Sequence, residues 1–154
     1  MYLHAITLKG YRQFVNTTVY LSDATFIIGQ NNTGKSSILK AIDCLLSGID
    51  KLPSDDCLQV QSEHGEQSPR FDEVELVGEF RNVPAEASEW RGFKGRIFRY
   101  ETDEGNSESG LKIVYRKVFP TNGGKGKISM LQNARELSSQ YASCTKPSDF
   151  ISAG

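Results

Sequence analysis

The sequence predicts an α/β (α+β) fold: a mixed sheet around one helix, continued by an antiparallel β-meander and hairpin. Three observations predict it. A short β-branched and aromatic run, Thr25-Phe26-Ile27-Ile28, ends on the octet G-Q-N-N-T-G-K-S at residues 29–36. Immediately afterwards Ile38, Leu39, Ala41, Ile42, Leu45 and Leu46 recur at helical spacing, with Lys40 and Asp43 opposite. Further along, Val74, Leu76 and Phe80 alternate with Glu73, Glu75 and Glu79, the period of a half-buried strand with an acidic outer face. With 154 residues the chain makes one domain with a real core, 1–154.

In chain order, residues 1–48 hold two strands, the octet and the first helix. The first strand covers Tyr2 to Lys9, with Ile6 and Leu8 in opposite or mixed environments before a Gly10 turn. The second places Val15, Thr17, Val19 and Leu21 on one face. Ser22-Asp23 turns the chain into the run at 25–28. The helix is expected from Lys35 to Leu46, ending at Ser47-Gly48, where Gly48 suits a left-handed cap.

Residues 49–70 lack periodicity and are rich in Ser, Asp, Gln, Gly and Pro, so they read as a mobile surface loop or an insertion. The adjacent carboxylates Asp55 and Asp56 read there as solvated. Residues 71–120 read as antiparallel strands. These include Arg96 to Tyr100 and Leu111 to Phe119, joined by an exposed hairpin tip over Glu101 to Gly110. Thr121 to Lys127 is a Gly/Lys turn. Met130, Ala134, Leu137 and Tyr141 then recur at helical spacing, which predicts a helix over 128–142 before a patternless tail, 143–154.

The octet carries the chemistry. It matches G-x-x-x-x-G-K-[ST], the loop that holds the phosphates of a nucleoside triphosphate. Its glycines let the backbone curl until successive amide N–H groups face an anionic β-phosphate. Lys35 reaches the β- and γ-phosphates as a point charge, and the Ser36 hydroxyl can ligate Mg²⁺. The flanking strand and helix are the context this motif needs, and the helix dipole favours an anion at the same place. The bland alternative is a glycine-rich turn between two core elements. The residues assigned to ATP are Gly29, Asn31, Asn32, Thr33, Gly34, Lys35, Ser36 and Ser37, with Ser36 as the Mg²⁺ ligand.

Composition narrows the rest. A net charge of −1 gives no global attraction to nucleic acid. No apolar run approaches the roughly 20 residues of a membrane span, and the N-terminus lacks a signal-peptide layout. Cys44, Cys57 and Cys144 are odd in number and without metal-like spacing, which favours reduced thiols in a cytoplasmic protein. Cys44 reads as a small core residue; His4 and His64 read as structural or solvated. Lys125 and Lys127, with Arg116 and Lys117 nearby, could touch phosphates, although a solvated turn explains them as well.

The opening L-x-x-I-x-L-K-G-Y-R-Q-F, followed by a strand and F-I-I-G-Q-N-N-T-G-K-S-S-I-L-K-A-I, resembles the N-terminal lobe of ABC-type P-loop ATPases. The likeness is to heads of the OLD, RecF and SMC group, which begin I-x-N-F-R-S/N-F and continue to G-x-N-x-[ST]-G-K-[ST]. It is close over Leu3 to Leu46. Leu52-Pro53-Ser54-Asp55-Asp56 and the acidic strand after it resemble the OLD-family region beyond the first helix. The resemblance implies ATP and Mg²⁺ as cofactors, and gives Arg12 a place on the phosphates through its fork of donors; the alternative is a turn arginine in water. It also implies two heads closing on nucleotide, as a homodimer or with a partner ATPase or nuclease subunit. A Toprim-type nuclease or DNA-binding part then lies outside this chain, in DNA repair, DNA maintenance or phage defence.

Departures qualify the resemblance. A hydrolysing head needs four apolar residues followed by Asp-Glu to hold Mg²⁺ and activate water, an L-S-G-G-Q-type loop and a distal histidine. The sequence has none of these; Leu46-Ser47-Gly48 is a helix terminus. No catalytic residue is therefore assigned. The chain looks like a front half with the C-terminal lobe absent: a truncated piece, a split gene product or a degraded relative. A non-catalytic nucleotide-responsive module, or half of a split ATPase, is the competing reading. A small-metabolite kinase shares the loop but is disfavoured by the two strands before it and the lack of lid arginines.

Overall fold

A two-residue turn, Arg12-Gln13, joins β1 (Tyr2–Tyr11) to β2 (Phe14–Tyr20) in a tight hairpin. The structure is a computed structural model, and it describes residues 1–21, 32–101, 109–132 and 140–143. The main sheet continues through β5 (Glu73–Arg81), β7 (Ser109–Pro120), β8 (Lys127–Gln132) and β9 (Gln140–Ser143) in the order β2-β1-β5-β7-β8-β9. A further strand, β6 (Phe98–Glu101), pairs with Ser109–Lys112 of β7. β8 pairs with Tyr115–Val118, so β6 and β8 share one edge of β7 end to end while β5 takes the other. Every strand pairing among the described residues is antiparallel. The run 25–28, which carried the expectation of a mixed sheet, lies outside the described residues, as do the tail from 144 and residues 102–108 of the hairpin tip expected over Glu101 to Gly110. Glu101, Ser109 and Gly110 at its ends are paired strand residues instead.

One face of the sheet is the core. Ile6 and Leu8 of β1, Val74 and Leu76 of β5 and Ile113, Tyr115 and Phe119 of β7 are buried together. Ile6 and Leu8 thus face the same way, two residues apart, and are not split between environments as expected. Alternation breaks at Gly10, whose φ of +71° redirects the chain so that Tyr11 also enters the core.

The helix α1 (Asn32–Leu46) lies on this face and begins three residues before the expected Lys35. It buries Ile38, Ala41, Cys44 and Leu45, the larger Ile38 and Leu45 contributing roughly 1.5–3 kcal/mol each. Leu39, grouped with them by spacing, is exposed. Gly78 of β5 permits the close approach: a Cβ there would stand 2.8 Å from Leu45 Cδ2. The helix does not end on a left-handed Gly48, which is absent from the positive-φ residues. Instead the ammonium of Lys117, a buried residue of β7, donates to the carbonyls of Cys44 (2.8 Å) and Ser47 (3.1 Å). A tertiary cation does the work of a local cap.

The opposite face carries charge. Glu75 of β5 meets Lys9 of β1 and Arg116 of β7, and Glu79 meets Arg81, Lys112 and, at 3.9 Å, His4. The acidic face is therefore ion-paired and half-buried rather than simply solvated.

Two segments depart from expectation. Residues 49–70 are fastened down. Leu52 and Cys57 are buried, Ser54–Asp56 form a turn of 3-10 helix, and β3 (Gln59–Gln61) pairs with β4 (Gln67–Pro69). Leu58 N–H donates to the Gly10 carbonyl at 2.8 Å, and Tyr11 bridges to Cys57. Two buried side chains five residues apart produce no period, so composition alone suggested a loop. The helix expected over 128–142 is replaced by β8 and β9, paired Met130 to Ala142. Ile128 and Met130 face the core at strand period, and the open edge of β7 supplies hydrogen-bond partners that outweigh the helical spacing. Ala134 and Leu137 lie outside the described residues.

Candidate functional site

The β1–β2 turn, the second turn of α1 and the 3-10 turn at 54–56 converge at one corner. At its centre is Arg12, held at φ +49°. A non-glycine residue there costs about 1–2 kcal/mol, so its contacts must compensate. Arg12 N–H donates to the Asp56 carbonyl at 2.8 Å and its Nε to Asp56 Oδ1 at 2.9 Å. Its Nη1 donates to Ser37 Oγ at 3.2 Å, and that hydroxyl donates in turn to Gln13 Oε1 at 3.3 Å. The ion pair is largely shielded, with Arg12 23% and Asp56 19% exposed, so its strength exceeds that of a surface pair.

Tyr11 completes the corner from below, its ring centroid 5.7 Å from the guanidinium carbon. Burial pushes its phenol up to about 12; Asp56 adds to the rise and Arg12 opposes it. Tyr11 stays neutral, its buried ring under the guanidinium and its hydroxyl in hydrogen-bonding reach of Arg12. Burial likewise pushes the Cys44 thiol up to about 11, and raises Cys57, so both are inert core residues as expected for Cys44.

Of the octet, Gly29, Gln30 and Asn31 lie outside the described residues, and Asn32 and Thr33 are described only as helical backbone. Gly34, Lys35, Ser36 and Ser37 occupy the start of α1. Ser37 is buried against Arg12 and Gln13, whereas Ser36 is exposed and Lys35 half-buried. The first turn of the helix carries no acidic residue. The start of the helix, Lys35 and the Arg12 guanidinium lie on this side of the molecule, with the Ser36 side chain exposed.

Sequence reasoning missed Asp56 and Gln13. Pro53 followed by two acids is a helix-start pattern, which could have marked an ordered turn, and the neighbouring Arg12 needed a counter-ion. The basic stretch near 116–127 resolves differently from the phosphate reading. Lys117 is buried on helix carbonyls and Arg116 pairs with Glu75. Among the described residues no group of three or more His, Cys, Asp or Glu could hold a metal ion, and no helix is long and apolar enough to cross a membrane.

The fold is a mixed α/β domain with an antiparallel sheet, and comparison with known families assigns it. The chain belongs to the AAA ATPase domain family, whose model matches residues 1–149. That family places it among the nucleotide-binding P-loop ATPases. No curated protein is similar enough to the chain to count as a relative.

Proposed function

We propose that this chain is the ATP-binding lobe of an OLD/RecF/SMC-like ATPase acting in DNA repair, DNA maintenance or phage defence. The observation that carries the reading is the contact of Arg12 with Ser37. Two motifs 25 residues apart, G-Y-R-Q-F and G-K-S-S, meet at the second turn of one helix. The family match supports the nucleotide; the opening element supports the narrower group.

In this reading the triphosphate lies over residues Gly29–Ser37, with Asn31, Asn32, Thr33 and Gly34 offering N–H groups. Lys35 neutralises the β- and γ-phosphates, and Arg12 adds a second cation from the β1–β2 turn. Ser36 would hold Mg²⁺, which supplies charge neutralisation on the phosphates when bound. The Ser37 hydroxyl also meets Arg12 and Gln13, so it positions the guanidinium beside the loop. The sequence has no apolar strand ending Asp-Glu, so residues of this chain alone do not activate water. Cleavage belongs to a second lobe, a second copy or a partner subunit, and a linked nuclease or DNA-binding part would read the nucleotide state.

Calorimetry with Mg-ATP tests the assignment. Lys35→Ala is expected to weaken binding about 10- to 100-fold, the loss of charge-assisted contacts. Unchanged affinity would overturn it. Ser36→Ala should abolish the gain in affinity that Mg²⁺ gives; an equal gain would reassign the ligand.

A further inference from the structure

We propose that Asp56 is a positioning residue for Arg12, fixing the guanidinium in its phosphate-facing orientation before nucleotide arrives. The inference rests on the nucleotide reading above and adds a residue to it. Three contacts carry it. Asp56 grips the main chain of Arg12 through its carbonyl at 2.8 Å and the side chain through Oδ1 on Nε at 2.9 Å. Ser37 Oγ takes Nη1 at 3.2 Å, with its own proton directed to Gln13, so a lone pair faces the arginine.

A guanidinium is planar with five donors in a fixed fork. Holding it at Nε and at one terminal nitrogen therefore fixes the whole plane. The carboxylate sits on the Nε side, leaving the terminal side at the start of α1, where the octet ends. An arginine ordered in advance loses less freedom on binding, which raises affinity without a new ligand contact. The location of Asp56 fits this role. The residues that follow its turn of 3-10 helix are stitched to β1 immediately before Arg12, by Leu58 N–H on the Gly10 carbonyl and by the Tyr11–Cys57 bridge. The carboxylate thus stands on a rigid support, and the unusual φ of Arg12 is maintained by the same residue that orients its side chain.

A double-mutant cycle on Mg-ATP affinity, read by calorimetry with thermal melts of each variant, separates positioning from mere folding. Asp56→Ala is expected to weaken binding about tenfold, and Asp56→Asn, which keeps an acceptor oxygen, about two- to threefold. In an Arg12→Ala background neither change should weaken binding further, because Asp56 acts only through Arg12. Equal losses in both backgrounds, or tighter binding by Asp56→Ala, would overturn the inference. If Asp56→Ala fails to fold, the asparagine variant completes the same cycle. A parent protein that binds no Mg-ATP, or binds it equally after Lys35→Ala, overturns the nucleotide reading and this inference with it. Lys35-dependent binding with an Asp56 effect independent of Arg12 overturns the positioning role alone.

Discussion

The ammonium of Lys117 lies 2.8 Å from the carbonyl oxygen of Cys44, joining the middle of β7 to the last turn of α1. Buried on helix carbonyls, the Lys117 nitrogen stabilises the helix end through its hydrogen bonds. Burial lowers the Lys117 pKa, with Cys44, Asp50 and Asp43 opposing the fall, yet the hydrogen bonds to two carbonyls require a proton donor on the nitrogen. Lys117→Met keeps the stem and removes the donors. We expect it to reduce unfolding free energy by about 2 kcal/mol, measured by urea denaturation near neutral pH. An unchanged midpoint would show that the cap contributes nothing.

The alkaline limit of stability follows from Tyr11. Its folded pKa, about 12, stands above the ordinary 10.0, so the fold holds its proton more tightly than the unfolded chain does. The resulting stability is fully present below pH 10 and is lost as pH rises through the folded value. Cys44 acts in the same sense from 9.0 to about 11. Lys117 acts oppositely, gaining stability as pH climbs toward 10.5. Tyr11→Phe should flatten the decline at the alkaline end in pH-dependent thermal melts; an identical slope would refute the assignment.

Gly78 sets how near α1 lies to the sheet. Gly78→Ala pushes a methyl group against Leu45 Cδ2, with Leu3 and Phe80 close on either side. We expect a loss of about 1–3 kcal/mol from overpacking. Leu45→Ala should make the glycine change nearly neutral, since the two share one space. Additive losses in chemical denaturation would place the strain elsewhere.

Glu79 governs the acid side. Burial raises its pKa, but hydrogen bonds and charge from Lys112 and Arg81 outweigh that and hold the carboxyl below its usual range. A lowered folded pKa means stability present above 4.5 and lost as pH falls through the folded value. Glu79→Gln should cost about 1–2 kcal/mol near neutral pH, and the difference from the parent should vanish in strong acid. A gap that persists there would mean that charge is not the source.

The strands at Glu73–Arg81 and Ser109–Pro120 were legible because burial repeats every second residue, and the helix because Ile38, Ala41, Ile42 and Leu45 share a stripe. Met130 and Tyr141 mislead for the same reason: their spacing also suits a helix, yet both lie in paired strands. What decides is the open edge of β7, which lies in the fold and not in the local sequence. The corner was half legible. The octet and Arg12 are motifs, but Asp56 meets Arg12 across 44 residues, and no periodicity encodes a pairing of that kind.

The grip on α1 at its two extremities has a mechanical meaning. Arg12 and Gln13 engage Ser37 in the opening turns, while Lys117 holds the closing turn. Fifteen helical residues make a strut about 22 Å long. Close packing along its length gives it little room to bend. The helix is thus tied at both ends, to the β1–β2 turn through Ser37 and to β7 through Lys117.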